Sequence, residues 1–336
     1  MTNSPIDPRP NAKKERIDSL AATAGASGTA VKDVQIDTAG RVKDTGGVSL
    51  IASAWSRLRR NPVFLFGATI TLLFILLAII APWIAPYDPA LRIPALLDRQ
   101  TAAAKIVEAI PGHPLGSDDF ARDLLSRLIV GARQTLIVGV FATLFGLVGG
   151  LILGTLAGAF GGGIDSLVMR SVDVMLSIPS LLLAVSISAL APKPSQWTVI
   201  IAIATVQVPV FARLLRGSML AQRSSDHVLA ARALGVKPSA IIFRHMLPNS
   251  LSPVIVQSTL VLATSIIDAA ALSFLGLGNP DDRKPEWGQM LGQAQQYISD
   301  DPHLAFYPAA CIIVVALGFT LMGESLREAL DPKSRR

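Results

Sequence analysis

Polar and apolar residues alternate along this chain in long blocks, not at the short period of a soluble helix or strand. Residues 63–82, 135–160, 174–190, 197–211, 251–274 and 304–322 are each dominated by apolar and small side chains. Continuous runs of this kind predict bilayer-crossing helices, since a hydrocarbon core of roughly 30 Å takes about 20 helical residues. The first run, Val63 to Pro82, holds thirteen Val, Leu, Ile and Phe residues. At about −0.3 to −0.6 kcal/mol each, they favour insertion by roughly −4 to −8 kcal/mol. Trp55 and Trp83 flank it where indole rings prefer the interface. The expected fold class is an all-α polytopic membrane protein with six transmembrane helices.

The polar blocks set the topology. Residues 1–50 carry no apolar period and no signal-peptide core, so a disordered cytoplasmic tail is expected there, followed by a six-helix membrane domain over 51–336. Arg57, Arg59 and Arg60 precede the first span, and the positive-inside rule then puts that end in the cytoplasm. Six crossings return the carboxyl end to the same side, which predicts a multi-pass membrane protein with both termini cytoplasmic. The loops fall at 87–133 outside, 213–249 inside and 276–303 outside. In the first, Leu124, Leu125, Leu128 and Ile129 predict an amphipathic helix at the outer interface. In the last, a short amphipathic helix is expected around Gly288 to Tyr297.

Composition supports this picture and removes alternatives. The chain is 51% hydrophobic with mean hydropathy +0.50, a net charge of +6 and a pI near 9.7. Its basic residues gather beside apolar spans, which fits a bilayer partner and not a nucleic acid. Cys311 is the single cysteine, so no intrachain disulfide or CxxC site is available. His113, Asp118, Asp119 and Asp123 lack a recognised metal-ligand spacing. No GxxxxGK[ST] loop occurs, so the chain is expected to bind no cofactor and not to act as an ATPase itself.

Three features inside or beside the spans invite chemistry. Gly146, Gly150, Gly154 and Gly158 recur every four residues, a smooth stripe against which a helix of this chain or of a partner can pack closely. Pro179 and Pro209 lie within spans, where proline kinks a helix and frees carbonyls. Asp268 stands in the fifth span; its cost of roughly 2.5 to 3.5 kcal/mol is covered by eleven Val, Leu, Ile and Phe residues worth about −3 to −7. It is either a pathway residue or a carboxylate solvated near the outer interface.

The longest basic interruption between apolar runs is Asp226 to Asn249, DHVLAARALGVKPSAIIFRHMLPN. Ser225 or Asp226 can cap a short helix that Gly235 ends, and Pro238 suits the first turn of a second. Leu229, Ala230, Ala233 and Leu234 share an apolar face, with Asp226 and Arg232 pointing elsewhere. The residues alone fit an ordinary basic loop as well as a docking element. Ala230-Ala231, Gly235 and Leu247-Pro248 resemble the EAA signature of binding-protein-dependent ABC importer permeases, although Leu229 stands where that pattern has Glu and His245 where it has Ile.

Further motifs in the same order, HPLGSDDFARDLLSR, VDVMLSIPSLLLA, DAAALSFLGLGNP, PEWGQML and LREALDP, extend the resemblance from about Arg57 to Arg336. They resemble the dipeptide, oligopeptide and nickel class of ABC importer permeases, of the subunit type with a long first outer loop. Ala121 replaces the glycine usual in the first motif. The resemblance implies a type I importer architecture and a transport subunit for di- or oligopeptides, with nickel chelates or other small solutes as the alternative cargo. It implies as partners a second, homologous permease, two ATPase subunits or domains that use ATP and Mg, and an extracytoplasmic substrate-binding protein. Coupling to the ATPases would fall to Asp226, Leu229, Ala230, Ala231, Arg232, Gly235, Val236, Lys237, His245, Leu247 and Pro248. A stand-alone secondary transporter or channel and a membrane scaffold are the readings from other classes. The first would need more intramembrane ionisable groups than Asp268 supplies.

Overall fold

The computed structural model describes residues 55–101 and 105–330. The tail expected over 1–50 lies outside the described residues. Among the described residues, five helices are long and apolar enough to cross a membrane, and a bent pair supplies a sixth crossing if its halves form one span.

Helix α1, Pro62–Ile84, starts where the Asn61 side chain accepts from Val63 N at 2.9 Å and Pro62 occupies the first turn. Helix α2, Leu124–Phe160, is capped by Asp123, whose carboxylate accepts from Ser126 N at 2.8 Å. Its length corrects the expectation of a separate interfacial helix. Leu124 and Leu128 are buried in a core with Trp287, Met290 and Leu304, so the stripe at 124–129 forms the first turns of the span itself. Gly161 at φ +69° ends α2.

The expected third span is broken. Helix α3, Gly162–Ser177, and helix α4, Ser180–Ala189, meet at 95°. Ile178 and Pro179 between them are extended, as proline requires of the residue before it. Helix α5, Gln196–Gln222, begins at a Ser195 cap and carries buried Pro209 in its interior. It runs eleven residues past the predicted end at Phe211, so Arg213 and Arg216 lie on a helix and pair with Asp173 and Asp165 of α3. The connection expected on the inside at 213–249 therefore begins after Gln222 and not at 213.

Helix α6, Asp226–Ala233, follows. The second short helix expected at Pro238 is instead the head of a continuous 37-residue helix α7, Pro238–Phe274. Its Ile241–Met246 turn is of the wide π type. That widening lies directly before Pro248, which has no N–H to donate and would clash with the carbonyl four residues back. Helix α8, Trp287–Ala294, and helix α9, His303–Leu330, complete the bundle. Helix α9 continues beyond the predicted end near Glu324.

The glycine stripe packs on α5 of the same chain. A Cβ at Gly146 would lie 2.8 Å from Gln207 Cβ, one at Gly154 2.8 Å from Ala212 O, and one at Gly158 2.9 Å from Met219 Cβ. Gly150 faces Phe211 and Val208 in the same seam. Four helical turns thus approach with no side chain between, which is how small residues generate dispersion contact in lipid.

Helix α8 is not a surface element of an outer loop. Trp287 is fully buried, donates from Nε1 to Leu128 O at 2.9 Å, and meets the Phe74 ring edge-on at 5.6 Å between centroids. Gly131 leaves room for it, since a Cβ there would lie 2.8 Å from the indole. The 85–123 segment closes over this core through buried charges. Asp118 accepts from Arg122 Nε at 2.7 Å, Arg122 Nη1 donates to Asp282 at 3.0 Å, and Arg127 Nη1 donates to Pro89 O and Asp282 O at 3.1 Å each. His113 Nδ1 lies 2.9 Å from Asp123. Asp118 and Asp123 are engaged in these bonds and in capping α2, while Asp119 is half-buried beside them.

Candidate functional site

Two places bring the singled-out residues together. The first is the connection from α5 to α7. Helix α6 places Asp226 in its first turn and Arg232 in its last, each matched to the helix dipole. Its N-cap is Ser225 in an extended conformation, with no side-chain capping bond; the hydroxyl donates instead to Gln222 O at 2.6 Å. The C-terminus closes through Gly235 N to Arg232 O at 3.0 Å and Val236 N to Ala231 O at 3.1 Å. With Gly235 at φ +74°, this is the Schellman pattern, and the glycine is needed because other residues rarely adopt that conformation.

Below α6, Val228 and Ala231 are buried with Ile241, Met246, Phe211, Leu215 and Met219. They clamp the helix to α5 and to the first turns of α7. On the opposite side Leu229 is 49% exposed and Leu234 84%, and Ala230 and Ala233 are exposed beside them. The apolar face expected from spacing is therefore outward, with nothing of this chain over it among the described residues. Ala231 does not belong to that face: it points into the bundle, while its neighbour Ala230 points out. Arg232, Lys237, Arg244 and Pro248 are exposed, and Val236, His245 and Leu247 half-buried. Phe243, 62% exposed, adds an aromatic ring to the same end of the molecule. Asn249 Nδ2 donates to His245 O at 2.7 Å and lies 3.3 Å from His227 Nε2, tying the start of α7 back to α6.

The second place is the bend between α3 and α4. An open cleft of about 570 Å³ is lined by Ile178, Pro179 and Ser180 at the bend, Gln207 on α5, and Thr264 and Asp268 on α7. It adjoins a second cleft of about 680 Å³ through shared Leu176 and Val210, and the second reaches Arg213 and Gln257. Asp268 is half-buried and makes no hydrogen bond or ion pair with the described residues. It lies six residues inside the end of α7 at Phe274, about 9 Å along the axis, and faces the cleft. Gln207 and Thr264 were not singled out from sequence. A lone Gln two residues before Pro209 in an apolar run was the available signal.

The comparisons with known proteins decide what these surfaces belong to. The family model for the binding-protein-dependent transport system inner membrane component matches residues 150–336. The chain belongs to that family. A second model, the N-terminal transmembrane domain of oligopeptide transport permease C, matches residues 49–103. The permease is 42% identical over 288 residues to the dipeptide transport system permease protein DppC of Alkalihalophilus pseudofirmus, covering 86% of this chain and 91% of the relative. It is 39% identical to a probable D,D-dipeptide permease protein, DdpC, of Escherichia coli, covering 82% of this chain and 90% of the relative. To the glutathione permease protein GsiD of Pectobacterium atrosepticum it is 37% identical, over 83% and 90%. Among solved structures, inward-facing MetNI methionine ABC transporter shares the fold at TM-score 0.51 and 21% identity, over 61% of this chain and 96% of that one.

The protein is thus a multi-pass inner-membrane permease subunit of the C type. Family membership implies an ATPase and a substrate-binding protein as its partners. The matched region 150–336 contains α3 to α7 whole, and with them both the outward face of α6 and the Asp268 cleft.

Proposed function

We propose that the permease forms half of the translocation pathway of an ATP-driven importer of di- and oligopeptides, alongside a second, homologous permease subunit. Two ATPase subunits or domains bind and use ATP and Mg, this chain binds neither, and an extracytoplasmic binding protein delivers the peptide. The reading is carried by one observation: α6 is clamped from below by Val228 and Ala231 while Leu229, Ala230, Ala233 and Leu234 face outward. An apolar face of that size on a polar connection is a docking surface for another chain.

The coupling follows from continuity. Helix α7 carries both the residues that grip α6, Ile241 and Met246, and the cleft acid Asp268. The 27 residues from Ile241 to Asp268 span about 40 Å of one helix. A displacement of α6 by a docked ATPase is passed to the cleft as a rigid-body movement and not by local unfolding. The joined clefts along α3, α5 and α7 then form one wall of the pathway, with the 223–237 connection and both termini in the cytoplasm.

Peptide is favoured over nickel chelates by the relatives named for dipeptides, D,D-dipeptides and glutathione. The test is ATPase stimulation in the complete reconstituted complex by peptides delivered on the binding protein. Stimulation by a set of di- and tripeptides is expected. No response to any peptide, with a response to a metal chelate, overturns the substrate assignment.

A further inference from the structure

A third cavity lies on the opposite flank of the bundle. It is an open groove of about 700 Å³ between α1 and α2, floored by Leu262 of α7 and Phe319 of α9. Its walls are apolar: Ile79 on one side, Ile137, Val140 and Phe141 on the other. At its mouth stand Trp83, 78% exposed, and Arg133, the one charged residue among the described residues that lines it.

The position of Arg133 is informative. It is exposed and makes no hydrogen bond or ion pair with the described residues, unlike Arg122 and Arg127 earlier in the chain, which are buried and paired. From Thr135 to Phe160 helix α2 carries no Asp, Glu, Lys or Arg, so Arg133 marks the polar edge of the membrane-embedded part. Trp83 marks the same level on α1, where indole rings settle at the interface. From Arg133 to Phe141 the groove descends eight residues of helix, about 12 Å. One leaflet of a hydrocarbon core of roughly 30 Å is about 15 Å deep. The groove thus has the depth of an acyl layer, with a cation at the height of a headgroup.

We propose that this groove is a binding site for an anionic phospholipid, with acyl chains along Ile79, Ile137, Val140 and Phe141 and the headgroup phosphate on Arg133. The lipid belongs to the leaflet on the side of the 85–123 segment. An exposed guanidinium offers charge-assisted hydrogen bonds to phosphate oxygens, and a headgroup with net negative charge is preferred over a zwitterionic one.

The experiment is native mass spectrometry of the complete detergent-solubilised complex after titration with equal amounts of dioleoyl phosphatidylglycerol and dioleoyl phosphatidylethanolamine. One phosphatidylglycerol per copy of this chain is expected to survive activation that strips phosphatidylethanolamine. Arg133→Gln should reduce that retention at least five-fold, Arg133→Lys should keep most of it, and Val140→Trp, which fills the groove, should lower retention of both lipids. Equal retention of the two lipids by the unaltered complex, or unchanged selectivity in Arg133→Gln, overturns the proposal. So does a crosslink from a cysteine placed at Val140 to a neighbouring subunit in place of a lipid probe, because the groove is then filled by protein.

Discussion

At the 85–123 end of the bundle, buried Asp118 is paired with buried Arg122 and Arg127, and buried Asp123 is bonded to His113 and Ser126. At the 223–249 end, Arg232, Lys237 and Arg244 are exposed, and the residues that lack a cover are Leu229, Leu234 and Phe243. One end holds a cluster of buried, paired charges; the other has left charges in water and offered apolar area. Burying charges costs several kcal/mol per ion unless each is matched, so the first end depends on Asp118 to hold two arginines whose Nη2 atoms have no hydrogen-bond partner among the described residues. Exposed apolar area is finished only when another chain covers it. The contrast separates a charge-bonded cap from the face proposed for docking within one permease.

The strongest way to break the cap is to remove the anion shared by its arginines. Asp118→Ala leaves Arg122 and Arg127 buried with only the Asp282 and Pro89 contacts. A loss of about 3 to 5 kcal/mol is expected, read as a lower Tm of the solubilised protein and reduced abundance in the membrane. Next comes Glu286, which is 5% exposed and bonded to Ser273 Oγ at 2.9 and 3.0 Å. Burial pushes its carboxyl up from 4.5 to about 7. The folded protein then holds a proton that the unfolded chain releases above pH 4.5, so stability falls as pH rises from 4.5 to about 7 and levels off above. The full drop is about 3 kcal/mol. Glu286→Gln should flatten the fall of Tm across that window, and an unchanged slope removes Glu286 as its source.

The docking end should respond in the opposite manner. Leu229→Lys puts a charge on a face already in water, so stability should move by less than about 0.5 kcal/mol. Peptide uptake should fall at least about ten-fold, because the docked complex must bury that charge without a partner. Comparable losses of Tm and uptake would mean that Leu229 supports the fold of this chain and not contact with another.

The sequence disclosed the two ends unequally. Block length and composition locate the spans, because bilayer thickness acts on every residue of a run alike. The Schellman end at Gly235 was legible too, since few residues reach its backbone conformation. The 95° break at Pro179 was not, because a proline within a span gives a gentle kink as readily as a corner. Nor were the extensions of α5 to Gln222 and α9 to Leu330, which follow tertiary packing after the apolar run has ended. At the candidate site, Leu229 and Ala230 face outward as spacing suggested, but Ala231 turned inward. An alanine gives periodicity too little contrast to assign its side. Gln207 was missed for a related reason: a single polar residue in a span is silent about which neighbour it faces.

The smallest effect is the most pointed test of the comparison, because the same unusual conformation occurs at both ends. Gly235 has φ +74° with nothing within 4 Å of a Cβ built there. Ala121 has φ +58° and is fully buried, with its carbonyl accepting from Ile93 N at 2.9 Å. A left-handed conformation costs an L-residue about 1 to 2 kcal/mol, so the cap holds strain where the docking end has none. Ala121→Gly removes that strain but sacrifices a buried methyl and frees the unfolded chain, losses of about 0.8 and 0.4 to 1 kcal/mol, and should come out near neutral. Ala132→Gly is the control: Ala132 is equally buried but lies inside helix α2, so it suffers the same losses with no strain to recover. The two variants should therefore differ by about 1 to 2 kcal/mol in denaturation, the left-handed penalty itself. Equal destabilisation of both would mean that the turn at Ala121 is relaxed and that the cap is held by its charges alone.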